Sequence, residues 1–251
     1  MSKISYLVTG AMGATGSAAV SALLGAGEHV RALAHREDER SAQLRRQGAE
    51  VIFGDLTDVH SVRAALRGVQ RAYFNYPIAP GLVQAAAQFA QAAREAGVEA
   101  IVDMSQMIAR DDAPSHAAFD HWLTERVFDW CGIGVTHLRP TFFAEWLLYL
   151  APMIRQGTVY APYGGGRTAL ISAEDQGRVI ARILQHPAAH RGQTYTLVGP
   201  VEYTFAELAA EVGRVLGRHV GYQQVPIEML LEAFTSGREQ SGRNDALSGY
   251  A

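Results

Sequence analysis

"YLVTGAMGATGSAAV", Tyr6 to Val20, is the stretch on which the fold turns. An apolar run ends at Gly10, glycines recur at Gly13 and Gly16, and an alanine-rich segment follows. A glycine triplet alone is an ordinary turn. Between a strand and a helix it is the context of a dinucleotide fingerprint. Gly10 permits the tight turn, Gly13 lets backbone approach a pyrophosphate, and Gly16 lets helix and strand pack closely. The start of the helix then offers free N–H groups and a positive dipole end to the anion.

Short apolar runs continue to alternate with helical patterns. "HVRALAH", "AEVIFGD", "VQRAYFNYP", "EAIVDMS" and "GVTHLRP" read as strands. Helices are expected near 37–47, 58–66, 81–96 and 116–131, with Asp58 capping the second of these. Such alternation predicts an α/β fold, a Rossmann-like doubly wound parallel sheet of order 3-2-1-4-5-6. After Pro140 the rhythm changes. "TFFAEWLLYLAPMIRQG" reads as one helix and "VYAPYGGGRTALIS" as loop, before a helix near 173–185, the strand "TYTLVG" and a helix capped by Thr204. "HVGYQQVP", a final short helix and a loose polar tail complete the chain. The expected division is a dinucleotide-binding core of residues 1–140, rejoined by 172–200, and a small C-terminal substrate lobe of 141–171 and 201–251 over the sheet's carboxyl edge.

With 251 residues and 48% hydrophobic content, the chain can build a sizeable core. A net charge of -3 gives no reason to expect nucleic acid or an anionic membrane as partner. The single cysteine, Cys131, excludes an internal disulfide and reads as structural. The apolar runs are too short for a membrane span and no signal-peptide pattern opens the chain, so a cytoplasmic location is expected. Of the 22 basic residues, all but Lys3 are arginine.

Roughly 20 residues past the loop, an NAD site places an acid on the ribose 2′-hydroxyl. Here "AHRED" puts His35 and Arg36 first, which suits a 2′-phosphate and favours NADP(H) over NAD(H). Asp55 in "GDLTD" can accept from the adenine amino group, with Leu56 against the ring, or act as a helix cap. Asn75 in "FNYP" either borders the cofactor or forms a turn.

Together "VTGAMGATG", "GDLTD", "AREAGVEAIVDMS", "DHWLTERVF", "THLRPTFF" and "YTFAELAAEVGRVLGR" resemble the NmrA-like group of atypical short-chain dehydrogenase/reductases, from Ile4 to about Glu228. That group includes NADP-dependent quinone and triphenylmethane-dye reductases, and dinucleotide sensors without evident turnover. The resemblance implies that Gly10, Met12, Gly13, Ala14, Thr15 and Gly16 hold the phosphates. It implies adenine contacts from Asp55 and Leu56, and ribose and nicotinamide contacts from Asn75 and Pro77. Pro140, Thr141 and Phe142 would lie by the carboxamide. His35 stands where many members carry the arginine for the 2′-phosphate, with Arg36 next to it.

Conventional members of the superfamily use a Tyr-x-x-x-Lys pair, in which the tyrosine gives its proton to a substrate oxygen. Here those slots hold Ala117 and His121, and no tyrosine lies between Tyr76 and Tyr149. His121 can bind a ribose hydroxyl, relay a proton or face solvent. Glu125, one turn on, can orient its ring, and Phe119, Trp122, Leu123 and Trp130 form a separate apolar face. Ser105 can hydrogen-bond ribose or substrate, or simply end a strand. Quinones, enones, iminium ions and cationic dyes accept hydride without a strong acid, so the missing tyrosine points to such acceptors. Phe143, Trp146, Tyr160 and Tyr163 suit a flat conjugated ligand, several of them also reading as lobe core. Tyr163 or Tyr160 can supply the donor that Ala117 cannot. The expected function is an NADPH-dependent reductase of a conjugated small molecule. A dinucleotide sensor acting on a protein partner, or a non-redox enzyme reusing the fold, are the alternatives.

Overall fold

The structure, a computed structural model, describes residues 5–229. Lys3 and the tail lie outside the described residues, as does most of the final short helix expected before that tail. The chain divides into two compact units.

The first unit holds the main sheet. Its strands are β1 (Ser5–Val8), β2 (His29–Ala34), β3 (Glu50–Phe53), β4 (Arg71–Phe74), β5 (Ala100–Met104), β6 (Gly134–Pro140) and β9 (Thr194–Leu197). They run parallel in the order β3-β2-β1-β4-β5-β6-β9. The expected six-strand order is present, and β9 adds a seventh strand beside β6. The intervening helices are α1 (Ala14–Gly25), α2 (Glu39–Arg46), α3 (Val59–Leu66), α4 (Leu82–Ala96) and α5 (His116–Trp130), with α7 (Ala173–Gln185) preceding β9. Among the described residues, no helix is long and apolar enough to cross a membrane.

Two helical layers follow from composition. α1 and α7 pack on one another, closely enough that a Cβ on Gly177 would stand 2.6 Å from Ala18. α3, α4 and α5 form a second contiguous layer. Leu7, Phe74, Ile101, Phe89 and Phe128 are core residues beneath it. Phe74 sits 5.0 Å, centroid to centroid, from both Phe89 and Phe128. Burying side chains of this size supplies the main driving force for the unit.

Along β5 and β6 the row facing α5 changes character. Ile101 pairs in register with Val135, and two residues later Asp103 pairs with His137. Ser105 and Arg139 follow with the same two-residue alternation. The row therefore passes from apolar to charged towards the carboxyl end.

The second unit comprises Thr141–Ser172 and the described residues from Val198 onward. It contains α6 (Ala151–Gln156), β7 (Thr158–Ala161), β8 (Arg167–Thr168), β10 (Tyr203–Thr204), α8 (Phe205–Leu216) and β11 (Gly221–Gln224). The expected single helix over 141–157 is instead a 3₁₀ turn, Ala144–Leu148, and then α6. Pro152, in the first turn of α6, has no N–H to continue an earlier helix. The stretch read as loop carries β7, parallel to β11, and β8, antiparallel to β10. Thr204 caps α8 as expected: its Oγ1 accepts from the Glu207 N–H at 3.1 Å, and the Glu207 carboxylate accepts from the Thr204 N–H at 2.8 Å.

Candidate functional site

The turn after β1 is built by its glycines. Gly10 has φ +58°, and a Cβ there would lie 2.6 Å from Asn75 Nδ2. The Gly13 N–H donates to the Gly10 carbonyl at 2.9 Å and closes the turn. A Cβ on Gly16 would collide with that same carbonyl. Gly13 is the N-cap of α1 with no side chain satisfying the helix start, so the first-turn N–H groups remain open to an anion. Met12 borders the turn, and Ala14, Thr15 and Gly16 are the first residues of α1. The Thr15 hydroxyl is directed to Gln176 Oε1 at 3.4 Å.

A cavity of about 480 Å³ opens beside this turn. Gly10, Met12 and Gly13 line it from the turn, Asp55 and Leu56 from the end of β3, and Asn75 and Pro77 from the end of β4. These expected cofactor residues are thus brought together within the first unit. Asp55 Oδ1 accepts from the Thr57 N–H at 2.8 Å and from its hydroxyl at 2.7 Å. Those bonds hold the carboxyl below the usual range and leave Oδ2 for a ligand donor. Asp58 takes the helix-cap role, its oxygens accepting from the His60 and Ser61 N–H groups. The Asn75 backbone is clamped by the Thr9 hydroxyl, at 2.7 Å from N and 3.0 Å from O, so its amide group is held over Gly10. A free dinucleotide phosphate would meet backbone N–H groups at this mouth, and the donor set fits such a ligand.

At the β2 end, His35 lines the cavity. Arg36 is exposed and does not, and Arg40 of α2 does. By sequence position Arg36 is expected in this place, and nothing local in the charged stretch marks Arg40 as the arginine that borders the cavity.

The other expected group lies around α5. His121 is 5% exposed, which corrects the solvated reading. Its Nδ1 is buried without a partner, and burial pushes the ring down to about 4, with the Glu125 charge offsetting part of that. Glu125 does not orient the His121 ring by a hydrogen bond. Its carboxylate receives Arg139 at 2.8 and 2.6 Å and the Ser105 hydroxyl at 2.6 Å. The apolar-face expectation for α5 is reversed in part: Phe119 and Trp130 are 37% and 72% exposed, while Thr124 and Glu125 are fully buried. The helix turns its polar residues inward because the row of β5 and β6 beneath it is itself charged. The Glu125–Arg139 pair was missed, since a bond across fourteen residues between a helix and a strand end has no local periodic signal.

This set has no acid ready at neutral pH. Burial alone would raise Glu125, but the bonds from Arg139 and Ser105 outweigh it and hold the carboxyl below the ordinary range. The Ser105 hydroxyl already donates its one hydrogen bond to Glu125 and can only accept further ones. His121 at about 4 is neutral.

Deeper in the same row, His137 Nδ1 lies 2.8 Å from Asp103 and Nε2 lies 3.1 Å from Asp129. A neutral imidazole has one N–H, so only the charged ring donates to both carboxylates. Burial would lower this ring, yet Asp103 and then Asp129 hold it above its ordinary value. Among the described residues no cluster suited to a metal ion is present.

In the second unit, Phe142 lies edge-on to Trp146, Tyr163 and Phe205 at 5.2, 5.4 and 6.3 Å. Tyr163 stacks on Phe205 at 4.2 Å, and burial raises its hydroxyl above the ordinary tyrosine value. Phe143 meets Trp146 at 6.2 Å, and Trp146 and Tyr160 are partly exposed. Pro140 ends β6, and the Thr141 hydroxyl donates to the Ala169 carbonyl.

A model of the NmrA-like family matches residues 2–241. An NAD(P)H azoreductase from Xenophilus azovorans is 33% identical over 232 residues, covering 91% of this chain and 80% of the azoreductase. Among solved structures, the NADPH complex of the NADPH-dependent quinone oxidoreductase QOR2 from Escherichia coli superposes with a TM-score of 0.82 at 27% identity, over 97% of this chain and 85% of that one. Citrobacter sp. triphenylmethane reductase complexed with NADP(H) gives 0.81 at 27% identity, over 93% and 84%. The chain belongs to the NmrA-like family.

Proposed function

We propose that this NmrA-like protein is an oxidoreductase that uses NADPH to reduce a conjugated or aromatic small molecule, without a Tyr-x-x-x-Lys pair. The observation that carries the reading is the cavity at the open start of α1, where uncapped N–H groups, Asp55 and Asn75 converge. The names of the azo, quinone and dye reductases it resembles support the class of acceptor. The bound nicotinamide would supply the hydride.

The chain's own residues bind and orient. Gly10, Met12 and Gly13 with the Ala14–Gly16 helix start would hold the diphosphate, Asp55 and Leu56 the adenine, and His35 and a neighbouring arginine the 2′-phosphate. His121, kept neutral, can donate to or accept from a ribose hydroxyl, and Ser105 can accept beside it. Pro140, Thr141 and Phe142 would border the carboxamide. The second unit would serve as the substrate lobe, with Phe143, Trp146, Tyr160 and Tyr163 offering flat apolar surface to a flat acceptor. Water would supply the proton, since no side chain of the His121–Ser105–Glu125 set carries one to give at neutral pH. A cytoplasmic location belongs to the same proposal.

The lack of an acid also fits a dinucleotide sensor, and one experiment separates the readings. NADPH is titrated calorimetrically, and its oxidation is then followed with a quinone, an azo dye and a triphenylmethane dye. Binding with oxidation by at least one acceptor is expected. Tight binding with no oxidation by any of them favours the sensor, and no binding overturns the cofactor site itself.

A further inference from the structure

The cavity departs from its expected lining where the adenosine ribose would end. Arg36 adjoins the strand end but lies outside the lining, whereas Arg40, in the first turn of α2, lies within it. Arg40 is not a free cation. Asp38 Oδ2 accepts from its Nε at 3.1 Å and from its Nη2 at 2.8 Å. The other oxygen, Oδ1, accepts from the Arg40 and Ser41 N–H groups at 2.9 and 3.1 Å and caps the helix. One carboxylate thus ties the helix start to the cavity's guanidinium. It cannot swing away without uncapping α2, and the Arg40 hydrogen bond keeps it ionised below the usual carboxylate range.

These groups pull a dinucleotide in opposite directions. A guanidinium favours a phosphate on the ribose, because charge and fork geometry match it. The Asp38 carboxylate lies outside the lining with both oxygens engaged, and its charge offsets that of Arg40 and repels the same phosphate. The pair is partly exposed, at 57% for the Arg40 side chain and 25% for Asp38, so it is weak enough for a dianion to compete with it.

We propose that Arg40 is the residue that discriminates NADP(H) from NAD(H), and that Asp38 attenuates it, so that the site accepts both. The inference rests on the dinucleotide reading and goes beyond it by naming the discriminating pair. Arg36, whose sequence position suggests the role, does not have it.

The test is calorimetric titration of the full chain with NADPH and with NADH, on the parent protein and on Arg40→Gln, Asp38→Asn and Arg36→Gln. The two cofactors should bind the parent within about tenfold of each other. Arg40→Gln should weaken NADPH about tenfold and leave NADH within about twofold, which also reports an intact fold. Asp38→Asn, which preserves the cap, should strengthen NADPH about threefold and leave NADH within about twofold. Arg36→Gln should change the ratio by less than about twofold. Equal losses of both cofactors in Arg40→Gln, or a larger ratio change in Arg36→Gln, would overturn the assignment. A weaker NADPH complex in Asp38→Asn would make the carboxylate an orienting group and overturn attenuation. If neither cofactor binds the parent, the dinucleotide reading fails and this inference fails with it; if both bind and no ratio moves, only this inference fails.

Discussion

The carboxyl edge of the main sheet has two ends of opposite construction. Around Gly10 and Gly13 the chain presents bare backbone: an uncapped helix start, a turn without side chains, and a cavity beside it. Around β5, β6 and α5 the strong polar groups are already engaged with each other, Ser105 and Arg139 on Glu125, and His137 between Asp103 and Asp129. The first end has unmet valence for a ligand. The second spends its own on holding a helix to a sheet, although a few single atoms there are buried without a partner, among them His121 Nδ1, Thr124 Oγ1 and Asp103 Oδ1. Groups that stabilise a fold by pairing are poor proton donors for the same reason, since the pairing fixes their charge.

Three changes put pressure on that contrast. The largest effect is expected from Glu125→Ala, which leaves the Arg139 guanidinium and the Ser105 hydroxyl without their acceptor. Removing one partner of a buried ion pair should cost about 3 kcal/mol of unfolding free energy, measured by urea denaturation. A loss below about 1 kcal/mol would make this end no more locked than the other. Next comes Gly13→Val. Its backbone, at φ -83°, admits a side chain, and a Cβ there would stand 3.3 Å from the Gly10 carbonyl, so the melting temperature of the ligand-free protein should fall by only a few degrees, about 1 kcal/mol or less. NADPH affinity should fall by about 100-fold, or about 2.7 kcal/mol, because the side chain fills the approach to the helix start. Unchanged affinity would mean that the open end is not a binding end. The smallest effect is a pH dependence from His137. Its folded value is raised above the ordinary 6.5 or so, so its stabilisation is complete below that pH and is lost as pH rises through the folded value. The charged groups around it are Asp103, Asp129, Glu125 and Arg126. The melting temperature should decline from pH 6 towards pH 9, roughly the span over which a raised histidine discharges, and His137→Gln should flatten the decline. A slope identical in that variant would assign the titration elsewhere.

The same contrast explains what could be read in advance. Gly10, Asp55 and Asn75 follow strand ends, which are marked in sequence by where an apolar run stops, and Gly13 opens the helix after the first of them, so the cavity's wall could be assembled residue by residue. The α5 end was not legible in that way. Its buried face sets His121, Thr124 and Glu125, polar types that a periodicity argument assigns to solvent, beside Ala117, Ala118 and Phe128, and its exposed face carries Phe119 and Trp130. Only the register that sets Asp103 against His137 shows why polar residues belong inside. The choice of Arg40 over Arg36 depended on the turn into α2, which begins two residues later than the charge pattern suggested. In the second unit, β7 and β8 went unseen because their partners, β11 and β10, lie far along the chain, and two-residue strands carry no repeat of their own.

α7 returns to the first unit only after the excursion through 141–172, and there it meets α1 at two points: Gly177 against Ala18, and Gln176 against the Thr15 hydroxyl. The cradle is encoded within the first twenty residues, yet the helix behind it is supplied by codons more than 150 positions later. A polypeptide emerging from the ribosome therefore carries the glycine motif long before it has the brace that seats it. A fragment ending at Pro140 should display every signature residue of the loop and still hold no nucleotide.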